Sequence, residues 1–351
     1  MTLSAYEQRE WDRLQKRKAE SLNKQSRNLL PQQARDRLAS LGQKAMSTPG
    51  ADKVAAAYGG AAKGLGRVVG DTAGRTVSRK RVVEQYRRTG HEIAGLHEIR
   101  ELDLRVVDEV ARHNLVRYGH ALSAAATGLG SAAAVTGGEV LASAGTVAGA
   151  GAGAAPGLGT VAGAMLADTA MMLALATRTV ASTALSYGYC PSDPEEEIFV
   201  MSVIALGMAT GTSAKTAAYR ELSQLTQLLA RNAPWAKLNE KVLTKIAQAF
   251  AAQFTQQLTK KKLGQFVPIA GMAVGAGLSY RHIDRIAVSA RDAYRERFLI
   301  DKSGGDLTGN PNYGAADPAQ DDDAIGVIEL LREEDALPTS APSDSEDQPD
   351  N

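Results

Sequence analysis

Between residues 121 and 192 only three side chains are charged: Glu139, Asp168 and Arg178. A charge in so apolar a setting is costly unless it is paired, so Asp168 and Arg178 are the first candidates for a polar site. The planar fork of donors on Arg178 suits a headgroup phosphate or a peptide carboxylate. The two residues lie ten positions apart, about 80° around a helix, and the simplest expectation is that each pairs with a neighbouring helix. Tyr187 and Tyr189, on either side of a glycine, join them as binding candidates. Cys190 follows directly, and Glu195 stands in "SDPEEE" (192–197). A hydrolase would draw on Asp168, Glu195 or Cys190, though a thiol nucleophile needs a nearby histidine, which the sequence alone does not place. "SDPEEE" is explained as a helix start, with Asp193 as N-cap, Pro194 in the first turn and Glu196 at the capping-box position. The histidines of "HEIAGLHE" are six positions apart rather than the four of H-E-x-x-H. His113 and His120 lack a completing carboxylate pattern. No metal and no cofactor are expected.

The elements around these residues are rich in glycine. "GTVAGAGAGAAPGLGTVAG" (145–163) has no charge, and its "GLGTVAG" loosely resembles a dinucleotide loop. That chemistry needs a hydrophobic strand before the loop and an acidic residue about 20 positions on, and what precedes it has no strand character. The spacing is more telling. Gly145, Gly149, Gly153 and Gly157 recur every four residues, Gly207 and Gly211 repeat the step, and so do Gly271 and Gly275. On a helix this leaves a bare groove where a second backbone can approach. Residues 140–167 and 263–280 are charge-free, close to the ~20 residues of a spanning helix. Yet Ala, Gly, Ser and Thr gain little in hydrocarbon, so 140–167 reads as a helical hairpin that is marginal as a span.

Elsewhere the pattern is amphipathic and helical. On 4–45, Trp11, Leu14 and Leu22 share a face with the Lys18 stem between them. On 51–81, an apolar stripe runs beside Lys53, Lys63, Arg67 and Arg75, a basic surface suited to an anionic bilayer. Leu102, Val106 and Val110 mark another stripe, and Pro234 breaks 215–262. No period-2 pattern indicates a strand. The expected fold is all-α: a multi-helix bundle with a central Gly/Ala-rich helical hairpin and a disordered acidic C-terminal tail. Residues 1–300 form its helical domain, with charged helices over 1–120, the hairpin and following helix over 121–214, and closing helices over 215–300. Residues 301–351 are linker and tail. The net charge of +1 divides into +13 for residues 1–300 and −12 for 301–351. A basic body seeks anionic partners; lipid is favoured here and nucleic acid is not. Within the tail, 324–332 carries Ile325, Val327, Ile328, Leu330 and Leu331 within two helical turns, either to dock on a partner or to pack back on its own body. A single cysteine and a charged start without a signal-peptide core point to the cytoplasm.

"ADTAMMLALATRTVASTALSYGYCPSDPEEEIFVMSVIAL" (167–206) resembles the EcsC protein family. The shared elements are the Gly/Pro lead-in at 156–163, Asp168, Arg178, "YGY" at 187–189 and "DPEE" at 193–196. "VPIAGMAVGAGLSYRHIDRIAVSARDAYRERFL" (267–299) and "YEQREW" (6–11) are similar to the family's closing helix and start; Ser279 replaces an asparagine common there. The resemblance implies a bacterial, membrane-linked helical protein, the family's named member being encoded beside ABC-transporter components. The expected function is a non-enzymatic accessory or binding factor at the cytoplasmic membrane face, with anionic lipid or a membrane protein such as an ABC transporter as partner. Two alternatives are a soluble module holding a lipid or peptide in a glycine-lined groove, and the hydrolase.

Overall fold

The computed structural model describes residues 3–23, 78–112, 158–231, 235–263, 273–305, 307 and 324–338, without the side chains of 158–168, 259–263 and 273–281. In chain order the helices are α1 (Ala5–Asn23), α2 (Arg79–Arg88), a 3-10 helix (Leu96–Glu101) and α3 (104–112). Then follow α4 (Leu158–Ser186), α5 (Pro194–Met208), α6 (Thr212–Ala230), α7 (Glu240–Leu263), α8 (Ala273–Lys302) and α9 (Val327–Glu333). There is no strand among the described residues, and the fold is all-α as expected. No helix among them is long and apolar enough to cross a membrane.

Composition decides which helix lies at the centre. From Glu196 to Met208, α5 is buried on every side, the pattern of a helix surrounded by others. It packs most extensively on α8, and also on α4, α6 and α7. The α5–α8 approach needs a glycine. A Cβ on Gly207 would stand 2.7 Å from the Ile286 Cα and 2.6 Å from its Cγ1, so the two backbones meet where no side chain intervenes. Gly211 does not share that face, because α5 stops at Met208 and Gly211 is the N-cap of α6. The four-residue step therefore spans a break between two helices rather than one groove. Gly275 lies in the first turn of α8, whereas Gly145, Gly149, Gly153, Gly157, Gly271, Lys53, Lys63, Arg67 and Arg75 lie outside the described residues.

α4 ends in a Schellman motif. Gly188 adopts φ +84, the Tyr189 N–H donates to the Ala184 carbonyl (3.0 Å), and the Gly188 N–H donates to Leu185 (3.1 Å). A Cβ on Gly188 would also lie 2.7 Å from the Leu96 carbonyl. "YGY" is thus a helix stop that sends its two tyrosines to different places.

α1 buries Leu14 and the Lys18 stem as its pattern predicts. On α3 the deeply buried positions are Leu104, Val107 and Val110; Leu102 precedes the helix and Val106 is half-buried. All three expected positions, Leu102, Val106 and Val110, contact the core, and Leu104 and Val107 lie deeper in it. Residues 324–338 pack on the body: α9 lies against α5, α6 and α7, with Val327 and Leu331 fully buried.

Candidate functional site

The C-terminal half of α8 is buried on all sides from Ala293 to Ile300, yet it contains Arg295, Glu296 and Arg297. Charges in such a position must be paired, and each finds a partner from distant sequence. Arg295 grips Asp108 of α3 bidentately, Nε to Oδ1 at 2.6 Å and Nη2 to Oδ2 at 2.5 Å, and reaches Glu10 at 3.2 Å. Both tyrosines Tyr6 and Tyr187 donate their hydroxyls to the same Asp108 carboxylate at 2.8 Å. Desolvation, the hydrogen bond and the nearby Asp108 charge push the Tyr6 hydroxyl up to about 12, so it remains a donor.

Arg297 turns the other way. Its Nη1 donates to Glu196 at 2.6 Å, and the Tyr294 hydroxyl donates to the other Glu196 oxygen at 2.6 Å. The guanidinium lies over the rings of Tyr189 (4.1 Å) and Phe199 (4.7 Å), an arrangement that favours a desolvated cation. Tyr189 in turn donates to Asp301 at 2.7 Å. Burial works against the charge on Arg297, but Glu196, Tyr189 and Asp301 together hold its pKa above the ordinary arginine value. Burial raises the Glu196 carboxyl, opposed by Arg297 and by the Tyr294 hydrogen bond. Glu196 is therefore not a capping-box residue. Asp193 and Pro194 do begin α5, without a side-chain cap bond, and the third helical position faces the core, where Arg297 waits.

Above this second cluster opens a cleft of about 1370 Å³. Glu196, Arg297, Asp301 and Tyr189 line its depth. Its rim is built from α2, the 3-10 helix, the turn after Tyr189, the start of α5 and the α6–α7 connection at Trp235. Four exposed cations line the cleft from α2 and the 3-10 helix: Arg79, Lys80, Arg87 and Arg100. Arg87 is held in place by donating from Nε to the Ile93 carbonyl (3.0 Å). The rim carboxylate Glu84 is engaged by Arg88 of its own helix (3.2 Å), and Asp193 and Glu195 stand at the start of α5.

Of the residues singled out in the sequence, Tyr189, Cys190 and Glu195 line this cleft. Tyr187 lies behind it on Asp108. Arg178 is a half-buried residue of α4 that does not line it, and Asp168 lies on α4 with its side chain outside the described set. Burial pushes the Cys190 thiol up, which keeps it protonated at neutral pH and makes it a poor nucleophile. Among the described residues no group of three or more His, Cys, Asp or Glu side chains is placed to hold a metal ion. The cationic rim and the paired arginines of α8 carried no sequence signal beyond charge. The one usable sign was a run of charges inside "AYRERFLIDK", where both flanking faces are apolar.

A protein of Bacillus subtilis (strain 168), described as "Uncharacterized protein YdbA", is 24% identical over 227 residues, covering 64% of this chain and 71% of that protein. No solved structure matches. The model of the EcsC protein family matches residues 5–299, from the first turn of α1 almost to the end of α8, so it includes both halves of every buried pair from Glu10–Arg295 to Glu196–Arg297. The chain belongs to the EcsC protein family.

Proposed function

We propose that this protein is a non-enzymatic accessory factor that works at the cytoplasmic face of the membrane, where its cleft receives the phosphate of an anionic lipid headgroup. The observation that carries this reading is the set of four exposed cations, Arg79, Lys80, Arg87 and Arg100, around a cleft whose depth holds the buried Arg297. The buried arginine is already matched by Glu196, and the rim carboxylate Glu84 by Arg88, so the exposed four outnumber Asp193 and Glu195 at the rim, and Arg87 and Arg100 offer forks suited to phosphate.

Flotation with vesicles tests this. The protein rises with vesicles rich in phosphatidylglycerol, stays behind with phosphatidylcholine alone, and is released by salt. Each basic residue near an anionic surface contributes about 1 kcal/mol, so Arg87→Glu with Arg100→Glu weakens binding by roughly 30-fold or more. Wild-type protein that ignores anionic vesicles at low salt, or a double variant that binds them equally well, refutes the proposal.

A further inference from the structure

The segment 324–338 lies beyond the family's span and packs on the family's own domain. Its helix, α9, has seven residues, too few to persist alone, so the groove imposes the helix. Ile325, Val327, Ile328, Leu330 and Leu331 fill that groove between α5, α6 and α7, while Glu329, Arg332 and Glu333 face solvent. The polar fastenings come from α6, from α7 and from the turn before α7. Glu221 of α6 accepts the Val327 N–H at 3.0 Å. Lys237 pairs with Asp335 at 2.5 Å and Lys245 with Glu334 at 2.8 Å, both exposed. The groove thus reads one pattern: an apolar stripe of one to two turns, then a carboxylate pair opposite two lysines.

The geometry points to a helix-docking groove on α5–α7 for acid-flanked amphipathic segments, which residues 324–338 occupy in cis as a displaceable ligand. Three features favour a removable occupant over a fixed piece of core. The receptor lies inside the family match and the occupant outside it. The stretch from 306 to 323 separates the occupant from the end of α8. The ion pairs that set its register are at the surface, where salt weakens them. A partner that presents the same stripe with an acidic flank competes for the groove. It must overcome the effective concentration that the covalent connection gives this segment, on the order of millimolar.

The test uses the full chain with a protease recognition sequence inserted between Gly314 and Ala315. After cleavage, a fluorescent peptide of residues 322–338 is added and its anisotropy followed, while far-ultraviolet circular dichroism monitors the body. The cleaved protein keeps its helical spectrum, exchanges its own fragment for the peptide and saturates. The uncleaved chain binds the same peptide at least about a hundredfold more weakly. Lys237→Glu with Lys245→Glu raises the Kd about tenfold, as two exposed ion pairs allow, and a peptide carrying Leu330→Asp does not bind. A fragment that never exchanges under native conditions, or a body that unfolds as the fragment leaves, overturns the inference.

Discussion

Gly207→Ala adds a single methyl group at the centre of the molecule. The new Cβ meets the Ile286 Cα at 2.7 Å, its Cγ1 at 2.6 Å and its Cβ at 3.1 Å. Ordinary contact begins near 3.4 Å, so α5 and α8 must part by about 0.7 Å along one of the most extensive helix pairs among the described residues. A gap of that size forfeits a quarter to a half of each dispersion contact it opens. Alanine recovers at most about 1 kcal/mol of helix propensity, less so near close to the helix end. The balance is a loss of about 2–3 kcal/mol, within the usual range for overpacking. Ile286→Ala removes the Cγ1 contact and leaves Cα and Cβ in place, so the double variant is not rescued. Urea unfolding gives the measurement: the midpoint falls with an unchanged slope. A Gly207→Ala protein as stable as the parent, or one restored by Ile286→Ala, refutes the claim that backbones meet at this point.

Two further perturbations probe the charges. Asp108→Ala strands Arg295 with Glu10 alone and removes the acceptor of Tyr6 and Tyr187; losing one partner of a buried pair costs about 3–5 kcal/mol, read as a thermal midpoint lower by roughly 6 °C or more. Glu221 has its pKa raised to about 7, chiefly by burial, against the Val327 and Ile328 N–H groups and with Glu329 and Arg332 nearby. A raised folded-state pKa contributes stability below the unfolded value of 4.5 that is lost as pH climbs through 7. Unfolding free energy therefore declines between pH 5 and 8 by on the order of 3 kcal/mol from this group, and Glu221→Gln flattens that decline in a pH series of urea melts.

The sequence reveals the helices and hides most of the pairings, for a physical reason. Amphipathic and apolar runs are local, so α1, α5 and the "YGY" stop can be read from neighbours in the chain. Tyr189, Cys190 and Glu195 were legible as site candidates because they stand in one short motif, and they line one cleft. Arg295 and Arg297 were not singled out, since nothing local records that α8 is enclosed there. Their partners Asp108 and Glu196 lie 187 and 101 residues away, a separation that periodicity cannot report. Gly207 and Gly211 show the opposite error, a regular spacing that crosses a helix boundary.

The fastening between α1 and α8 bears on how the chain is made. Glu7 pairs with Lys302, Glu10 with Arg295, Arg17 with Asp292, and Lys18 with Glu296. The partners are 275 to 295 residues apart. During synthesis the amino-terminal helix emerges first, and it must wait for almost the whole domain before its acidic and basic residues meet their counterparts. At about 5–20 residues per second on the ribosome, that wait is on the order of tens of seconds. The domain closes as a ring closes, with α1 and α8 forming the clasp, and contacts so remote in sequence make the final step slow relative to local helix formation.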